Sequence, residues 1–230
     1  MGEIINGNCL VCSRRADVFR ALNENEIAQI DCHRVTIRFK PGEILFKQGT
    51  PCHNLVCVTS GLVKLFVEHN NSSNLIIGLA KPVEYIFVPG IYIDQRHHFT
   101  AEACEETTAC IIDLPVMNEL MRTNPDFSLE VIKKISQQSI NLYDRLSGQT
   151  HKHVYGRVAE TLLYLSNSIY KQNPFKLTLS RQDLADMTGM TKESFIRVLK
   201  KFKEDEIVTS EGNHLEIINF PMLEKISVNG

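Results

Sequence analysis

The 230-residue sequence has no surplus of positive charge: 25 Lys and Arg face 27 Asp and Glu, for a formal net charge of −2. Attraction of a polyanion by overall charge is excluded, so any such binding must rest on a local patch. There is no run of eighteen apolar residues and no basic-then-apolar leader, so no membrane contact is expected and the expected compartment is the cytoplasm. The seven cysteines are odd in number and lack regular spacing, which argues against a secreted disulfide framework and reads most of them as reduced, small apolar residues. Also missing are an assembled nucleophile–base set, a glycine-rich phosphate loop with a lysine, and a metal triad. No catalytic residue is assigned and an enzyme is not expected. What is present is an ordinary globular composition, 43% hydrophobic and 23% charged, long enough for one large domain or two smaller ones.

Two kinds of patterning divide the chain. Residues 34 to 114 carry strand signals. Val35, Ile37 and Phe39 alternate with polar residues, "KPGE" (40–43) supplies a turn before "ILF", and "NLVCVTSGLVKLFVEH" (54–69) reads as a hairpin broken at "TSG". With "NLIIGLA" and "ACIIDLP" as further strands, an antiparallel sandwich or barrel is expected. From Asn124 the pattern turns helical, with Pro125 and Asp126 in the first turn. Val131, Ile135, Gln138, Leu142 and Arg145 form one stripe, with Ile132, Ser139 and Leu146 beside it. A long helix with two apolar edges fits a seam between identical subunits; an ordinary core helix is the alternative. Gly148 is expected to interrupt it before an amphipathic helix over 154–170, which places a domain boundary between Leu146 and His153 and gives domains 1–147 and 148–230.

The second domain holds "LTLSRQDLADMTGMTKESFIRVLKKF". A short β-like piece leads to Ser180 as N-cap with Asp183 three residues on, Leu184 and Met187 core-facing, small Ala185, and Gly189 breaking the helix. Thr191 can cap a second helix whose buried side is Phe195, Val198, Leu199 and Phe202. The small residue lets two helices cross closely, the glycine makes the turn, and the apolar residues dock the second helix: the spacing is that of a helix-turn-helix. Five Lys and Arg against Glu193 alone lie between Met190 and Lys203, and the outward face carries Lys192, Glu193, Ile196, Arg197 and Lys200. Arg197 can bind guanine N7 and O6, and Glu193 can accept from cytosine N4. Four residues apart, Glu193 and Arg197 could also pair with each other. Lys200, Lys201 and Lys203 suit phosphates. "EIVTSEGNHLEIIN" (206–219) then reads as strand, turn, strand, a wing with its tip near Asn213 and His214.

Over nearly its whole length the chain resembles the family of the cyclic-AMP receptor protein and the fumarate–nitrate reduction regulator (CRP/FNR). "FKPGEILFKQGT" and "SGLVKLF" are similar to the β-roll of its cyclic-nucleotide-binding-like sensor domain, "GRVAETLLYL" to the first helix of its DNA-binding domain, and Glu193 with Arg197 to its Glu-x-x-x-Arg signature. The resemblance implies an α+β fold: an N-terminal antiparallel β-roll or jelly roll, a long dimerisation helix and a C-terminal winged helix-turn-helix. It implies a homodimer on a near-palindromic stretch of double-stranded DNA, with RNA polymerase as a further partner. Lys192 sits where the cyclic-AMP branch has an arginine reading guanine, and Arg181 and Gln182 match backbone-contacting positions. The DNA-binding set is thus Arg181, Gln182, Thr191, Lys192, Glu193, Ser194, Arg197 and Lys201.

The signal side departs from the family. Glu84 remains where a ribose could be met, but Phe99 and Thr100 stand where an arginine and a serine hold the cyclic phosphate, Arg96 is shifted, and Leu142 and Tyr143 replace the pair that meets adenine. A buried phosphate without a cation is unfavourable, so the effector is expected to be other than cyclic AMP, or absent. Glu84, Arg96, Phe99 and Thr100 mark the candidate effector pocket. The redox branch carries an iron–sulfur cluster on C-x-x-C-x5-C plus a cysteine in the roll. Cys9 and Cys12 fit the first pair, Val18 occupies the third place, Cys110 falls two residues off the fourth, and no spacing requires Cys32. No cluster is expected, and Cys9 and Cys12 stay as metal candidates. His97-His98 reads as a surface loop. An alternative reading makes the chain a metal or redox sensor using Cys9 and Cys12 whose C-terminal domain mainly contacts protein.

Overall fold

The structure, a computed structural model, describes residues 3–5, 9, 12, 17–69 and 74–230. The chain forms two compact units, Met1–Glu68 with Gly78–Ile140 and His69–Ile77 with Asn141–Gly230.

The first unit is the β-roll. The roll's strands are β1 (Glu3–Ile5), β2 (Arg34–Phe39), β3 (Ile44–Phe46), β4 (Asn54–Ser60), β5 (Val63–Val67), β6 (Leu75–Ala80, whose first three residues are counted with the second unit), β7 (Glu84–Ile86), β8 (Thr100–Ala103) and β9 (Thr107–Asp113). They make a five-stranded sheet in the order β1-β2-β9-β4-β7 and a four-stranded sheet in the order β3-β8-β5-β6. β4 is buried along nearly its whole length, as a central strand covered on both faces must be. Phe19, from a 3-10 turn over Asp17–Ala21, stacks at 6.2 Å on Phe127 and meets Tyr85 edge-on at 6.2 Å. A short helix α1 (Glu24–Cys32) starts at Asn23, whose side chain accepts the Glu26 N–H while Glu26 accepts the Asn23 N–H, a reciprocal cap.

The two apolar runs around "TSG" are strands, but they do not form the expected hairpin. β4 pairs with β9 and β7, whereas β5 pairs with β8. The connection carries the chain from one sheet to the other, and Gly61 makes that change of direction at φ +84°. Strand periodicity reports which residues alternate; it does not report which strand lies alongside.

A helix α2 (Leu114–Thr123) leads into α3 (Pro125–His151), for which the Asn124 side chain accepts the Phe127 N–H at 3.0 Å. The expected break at Gly148 does not occur: the helix runs on to His151. A glycine in a helix interior costs only about 1 kcal/mol. Its bare Cα also gives room to Glu160, whose Oε2 would lie 2.7 Å from any Cβ placed there. The inward stripe is partly as expected. Val131 is buried, the Gln138 side chain donates to the Tyr85 carbonyl at 3.4 Å and Arg145 to the Ile76 carbonyl at 2.7 Å. Leu142 leaves that stripe and is exposed, together with Ile132, Ile140, Tyr143 and Leu146.

The second unit continues with α4 (Val154–Tyr164), a π-helical segment over Leu165–Tyr170, β10 (Phe175–Lys176), α5 (Arg181–Thr188), α6 (Lys192–Glu204), β11 (Val208–Glu211), β12 (His214–Ile217) and α7 (Phe220–Asn229). β10, β12 and β11 form a three-stranded sheet in that order. Its first strand lies just before "LTL", where Phe175 and Lys176 pair with Leu215 and His214.

Gly61 and Gly42 separate two costs of a side chain. Both have positive φ, but a Cβ at 61 would lie 2.6 Å from the Glu106 carbonyl oxygen and 2.7 Å from the Thr107 Cα, while one at 42 meets nothing within 4 Å. Gly42→Ala is expected to cost about 1–2 kcal/mol from the left-handed backbone alone. Gly61→Ala adds overpacking and is expected to cost about 3 kcal/mol or more. Equal urea midpoints for the two variants would contradict this.

Candidate nucleic-acid interface

α5 and α6 are shaped by local chemistry. The Ser180 side chain accepts the Asp183 N–H at 3.1 Å and Asp183 accepts the Ser180 N–H at 2.8 Å, closing both ends of a capping box. Ala185 is fully buried, so α6 can approach α5 closely. Gly189 takes φ +62° and its N–H returns to the Ala185 carbonyl, which ends α5 in the left-handed conformation that glycine adopts freely. Thr191 caps α6 by accepting the Ser194 N–H at 3.2 Å. Phe195, Val198, Leu199 and Phe202 are all buried, and Lys192, Glu193, Ile196, Arg197 and Lys200 are all exposed. At 100° per residue the two sets occupy opposite sides of one helix.

The pairing open to Glu193 and Arg197 by their spacing is not formed: among the described residues no ion pair joins them. The pairs on this helix lie one turn further on, Lys200 with Glu204 at 3.8 Å and Lys201 with Asp205 at 2.8 Å. The Asp205 carboxylate, by hydrogen bond and charge, raises the Lys201 ammonium above its ordinary value. Lys203 reaches the Ser210 carbonyl on the wing at 3.1 Å. Ser194 is half-buried and its hydroxyl accepts from Thr191 at 3.1 Å. The Gln182 amide donates to Asp186 at 2.7 Å. Arg181 is half-buried; its Nη2 donates to the Gly212 carbonyl in the wing turn at 3.3 Å, and its buried Nη1 has no partner among the described residues. Burial pulls its guanidinium below the usual arginine value. The exposed tip of the wing is Asn213 and His214.

One residue escapes the sequence pattern altogether. Arg157 on α4 has a buried Nε without a partner among the described residues, and its Nη1 lies 3.6 Å from where a Cβ on Gly189 would be. It backs the turn between α5 and α6. A single arginine on an amphipathic helix gives no sequence signal of that position.

The candidate effector residues are not gathered into a pocket by their bonds. Glu84 accepts the Lys81 N–H at 3.1 Å. Arg96 is exposed and donates to the Gly49 carbonyl at 2.7 Å. Phe99 is buried against Phe46 at 5.6 Å. Thr100 is fully buried: its hydroxyl donates to Glu68 at 2.6 Å and accepts the Gln48 N–H at 3.0 Å. The surface-loop reading of His97-His98 holds only for His98, which is exposed and 3.1 Å from Asp94. His97 is buried and stacks on Phe46 at 4.0 Å, a flat ring against a flat ring. Cys9 is half-buried and accepts from Arg34 Nε at 2.8 Å; burial nevertheless pushes its thiol up to about 11. Cys12 is half-buried, with its N–H 3.3 Å from the Cys9 carbonyl. Among the described residues no three His, Cys, Asp or Glu are placed to hold a metal ion, and no helix is long and apolar enough to cross a membrane.

Comparison with known proteins matches both units. A family model described as Crp-like helix-turn-helix domain covers residues 156–226, and one described as cyclic nucleotide-binding domain covers residues 36–124. The chain is 26% identical over 215 residues to electron transport regulator A of Shewanella oneidensis, covering 90% of this chain and 85% of that one. It is 25% identical over 237 residues to the fumarate and nitrate reduction regulatory protein of Vibrio cholerae, covering 98% and 94%. Among solved structures, FixK2 from Bradyrhizobium japonicum has the same fold, with a TM-score of 0.78 at 17% identity over 86% of this chain and 98% of that one.

His97 makes the roll sensitive to acid. Burial, with a smaller contribution from the charge of His53, lowers its pKa from the ordinary 6.5. The unfolded chain therefore takes up a proton near that pH that the folded chain refuses, and stability falls as the pH drops below it. His97→Phe keeps the stack on Phe46 and removes the titration. Its stability relative to wild type is expected to rise between about pH 7.5 and 5.5 in urea melts; a difference that stays flat would show that His97 does not titrate in this way.

Proposed function

We propose, since this chain belongs to the CRP/FNR family of transcription regulators, that it acts as a homodimer on a near-palindromic duplex, one α6 in the major groove of each half-site. The observation that carries this reading is the exposure of Lys192, Glu193 and Arg197 together on a helix whose other side is bolted into the core. With no bond to Glu193, Arg197 has its fork available for guanine, and Glu193 is available to a cytosine amino group. Lys192 serves the same groove. Thr191 and Ser194, at the start of α6, are placed for the backbone beside it. Lys200, Lys201 and Lys203 give affinity without sequence information. So do Arg181 and Gln182, at the start of α5.

The homodimer is supported by α3, whose exposed Ile132, Tyr143 and Leu146 form an apolar edge. Two such copies would present α6 helices one DNA turn apart, about 34 Å. RNA polymerase is the partner that a regulator so placed would meet.

The roll does not favour cyclic AMP. At the position where the family's phosphate-binding serine is expected, Thr100 donates its hydroxyl to the Glu68 carboxylate. A cyclic phosphate there would face a carboxylate and no arginine, a repulsion in a buried place. Regulation would come from another effector, or the DNA-competent form is already the favoured one. The rival reading, a sensor whose second unit contacts protein, predicts little salt dependence of any DNA binding.

Arg197→Ala is expected to cost about 1–3 kcal/mol per half-site and to relax base preference in a randomised-site selection. Lys201→Ala is expected to weaken binding to all sequences alike and to flatten the plot of log affinity against log salt by about one unit for each phosphate no longer neutralised. Selectivity that survives Arg197→Ala would remove Arg197 from the readout. Affinity indifferent to salt would remove DNA as the partner of this face.

A further inference from the structure

α6 presents one large apolar side chain to water. Ile196 is 44% exposed, while every other exposed residue of this helix is a Lys, an Arg or a Glu. At about 100° per residue it shares a stripe with Lys192, four residues before it, and Lys200, four after; Glu193 is on the stripe beside it. Leu199, three residues on, is buried, so the core that fixes the rotation of α6 also fixes where Ile196 stands.

An exposed isoleucine does not help this helix to form. Its intrinsic helix propensity is below that of Lys, Arg or Glu, and apolar area left in water is unfavourable. A phosphate gains nothing from it either. An apolar group that covers Ile196 must also sit within reach of Lys192 and Lys200, so it has to be a small apolar island in an electronegative surface. The major-groove edge of DNA carries such an island, the C5-methyl of thymine, set among O4 and N7 acceptors. The side chain is also ready for a fixed contact. Branched at Cβ, it has one strongly preferred χ1 in a helix, and it loses less rotamer freedom on burial than the lysines around it.

We propose that Ile196 reads thymine: its side chain packs on the C5-methyl of a thymine within one or two base pairs of the guanine met by Arg197, a role that rests on α6 being the helix in the major groove. Arg197 and Glu193 then select by hydrogen bonds, and Ile196 selects by what it cannot bond. A cytosine in the same place would bring an amino group against a side chain with no acceptor, at the cost of burying an unpaired donor.

The test starts from the duplex that the full-length protein enriches from a randomised, unmodified pool, with affinities measured at one fixed salt concentration. Each thymine of the enriched site is replaced in turn by deoxyuridine, which keeps the base pair and O4 and lacks only the methyl. At one thymine of a half-site, wild type is expected to bind the deoxyuridine duplex about four-fold more weakly, the loss of about one buried methyl group, and about fifteen-fold more weakly when both half-sites are substituted. Ile196→Ala is expected to bind the two duplexes alike, with the far-UV circular dichroism and thermal midpoint of wild type, and Ile196→Val to keep part of the preference. Met222→Ala on α7 removes an equally exposed apolar side chain, 44%, and is expected to match wild type. A wild type that tolerates deoxyuridine at every thymine overturns the assignment, and so does a methyl preference that survives in Ile196→Ala. Tight binding to the enriched site without a methyl preference overturns this assignment alone. No salt-dependent binding to any duplex overturns the DNA-binding reading and this one with it.

Discussion

The burial of one side of α6 is the constraint on which the proposed DNA-facing surface depends. Phe195 and Phe202 are almost wholly removed from water, with Val198 and Leu199 beside them. At about 1.5–3 kcal/mol for each fully buried side chain, the set contributes on the order of 6–12 kcal/mol, comparable to the whole net stability of a domain. The cations on the other side interact through water and are worth far less to the fold. Hydrophobic burial therefore decides how the helix is rotated, and the charges go where that rotation puts them. Ala185 and Gly189 matter because they permit the approach: one removes side-chain bulk at the crossing, and the other lets the chain turn in the left-handed conformation.

The roll shows the same precedence of packing over chemistry. Its central strand β4 is buried on both faces, so the chain must leave one sheet for the other through a tight glycine turn rather than fold back on itself. That crossing sets which residues of β4 and β9 lie opposite each other. It also frees β5 to pair with β8, which brings Glu68, at the end of that strand, to the Thr100 hydroxyl. The Thr100 hydroxyl is bonded to that carboxylate, and the exposed Arg96 donates to a loop carbonyl. What the roll can bind thus depends on which groups are already bonded, not only on which residue types are present.

How much of this could be read from the sequence follows from the range of each interaction. The caps at Ser180 and Thr191, the glycine turn and the buried face of α6 involve residues within four positions of each other, and all were legible. The pairing of β4 was not, because two apolar runs split by a glycine look alike whether they face each other or part company. Gly148 misled for a related reason: its breaking tendency is weak, and the close approach of Glu160 that favours a glycine there comes from a later helix. His97 carried a polar letter but is held by an aromatic stack with Phe46, fifty-one positions away by number. Arg157 had no local signal, since what gives it its place is a neighbour brought by the fold. In the candidate interface, the positions of Lys192, Glu193 and Arg197 were legible while their bonding was not; spacing allows an ion pair without requiring one.

The last turns of α3 are held by charged groups within the second unit. From Asn141 onward its residues belong to the second compact unit. Gly148 lets the α4 carboxylate of Glu160 come against the helix, and Lys152 binds the same carboxylate at 2.7 Å just past the helix end. Arg145 is nearby in charge to Glu160 and Tyr164; its burial lowers its pKa and those two groups raise it. A buried arginine has to be compensated, and here the compensation comes from α4 and from the Ile76 carbonyl together. Any rotation of these last turns of α3 would strip a charged group of its partners. The same α4 holds Arg157 behind the turn between α5 and α6.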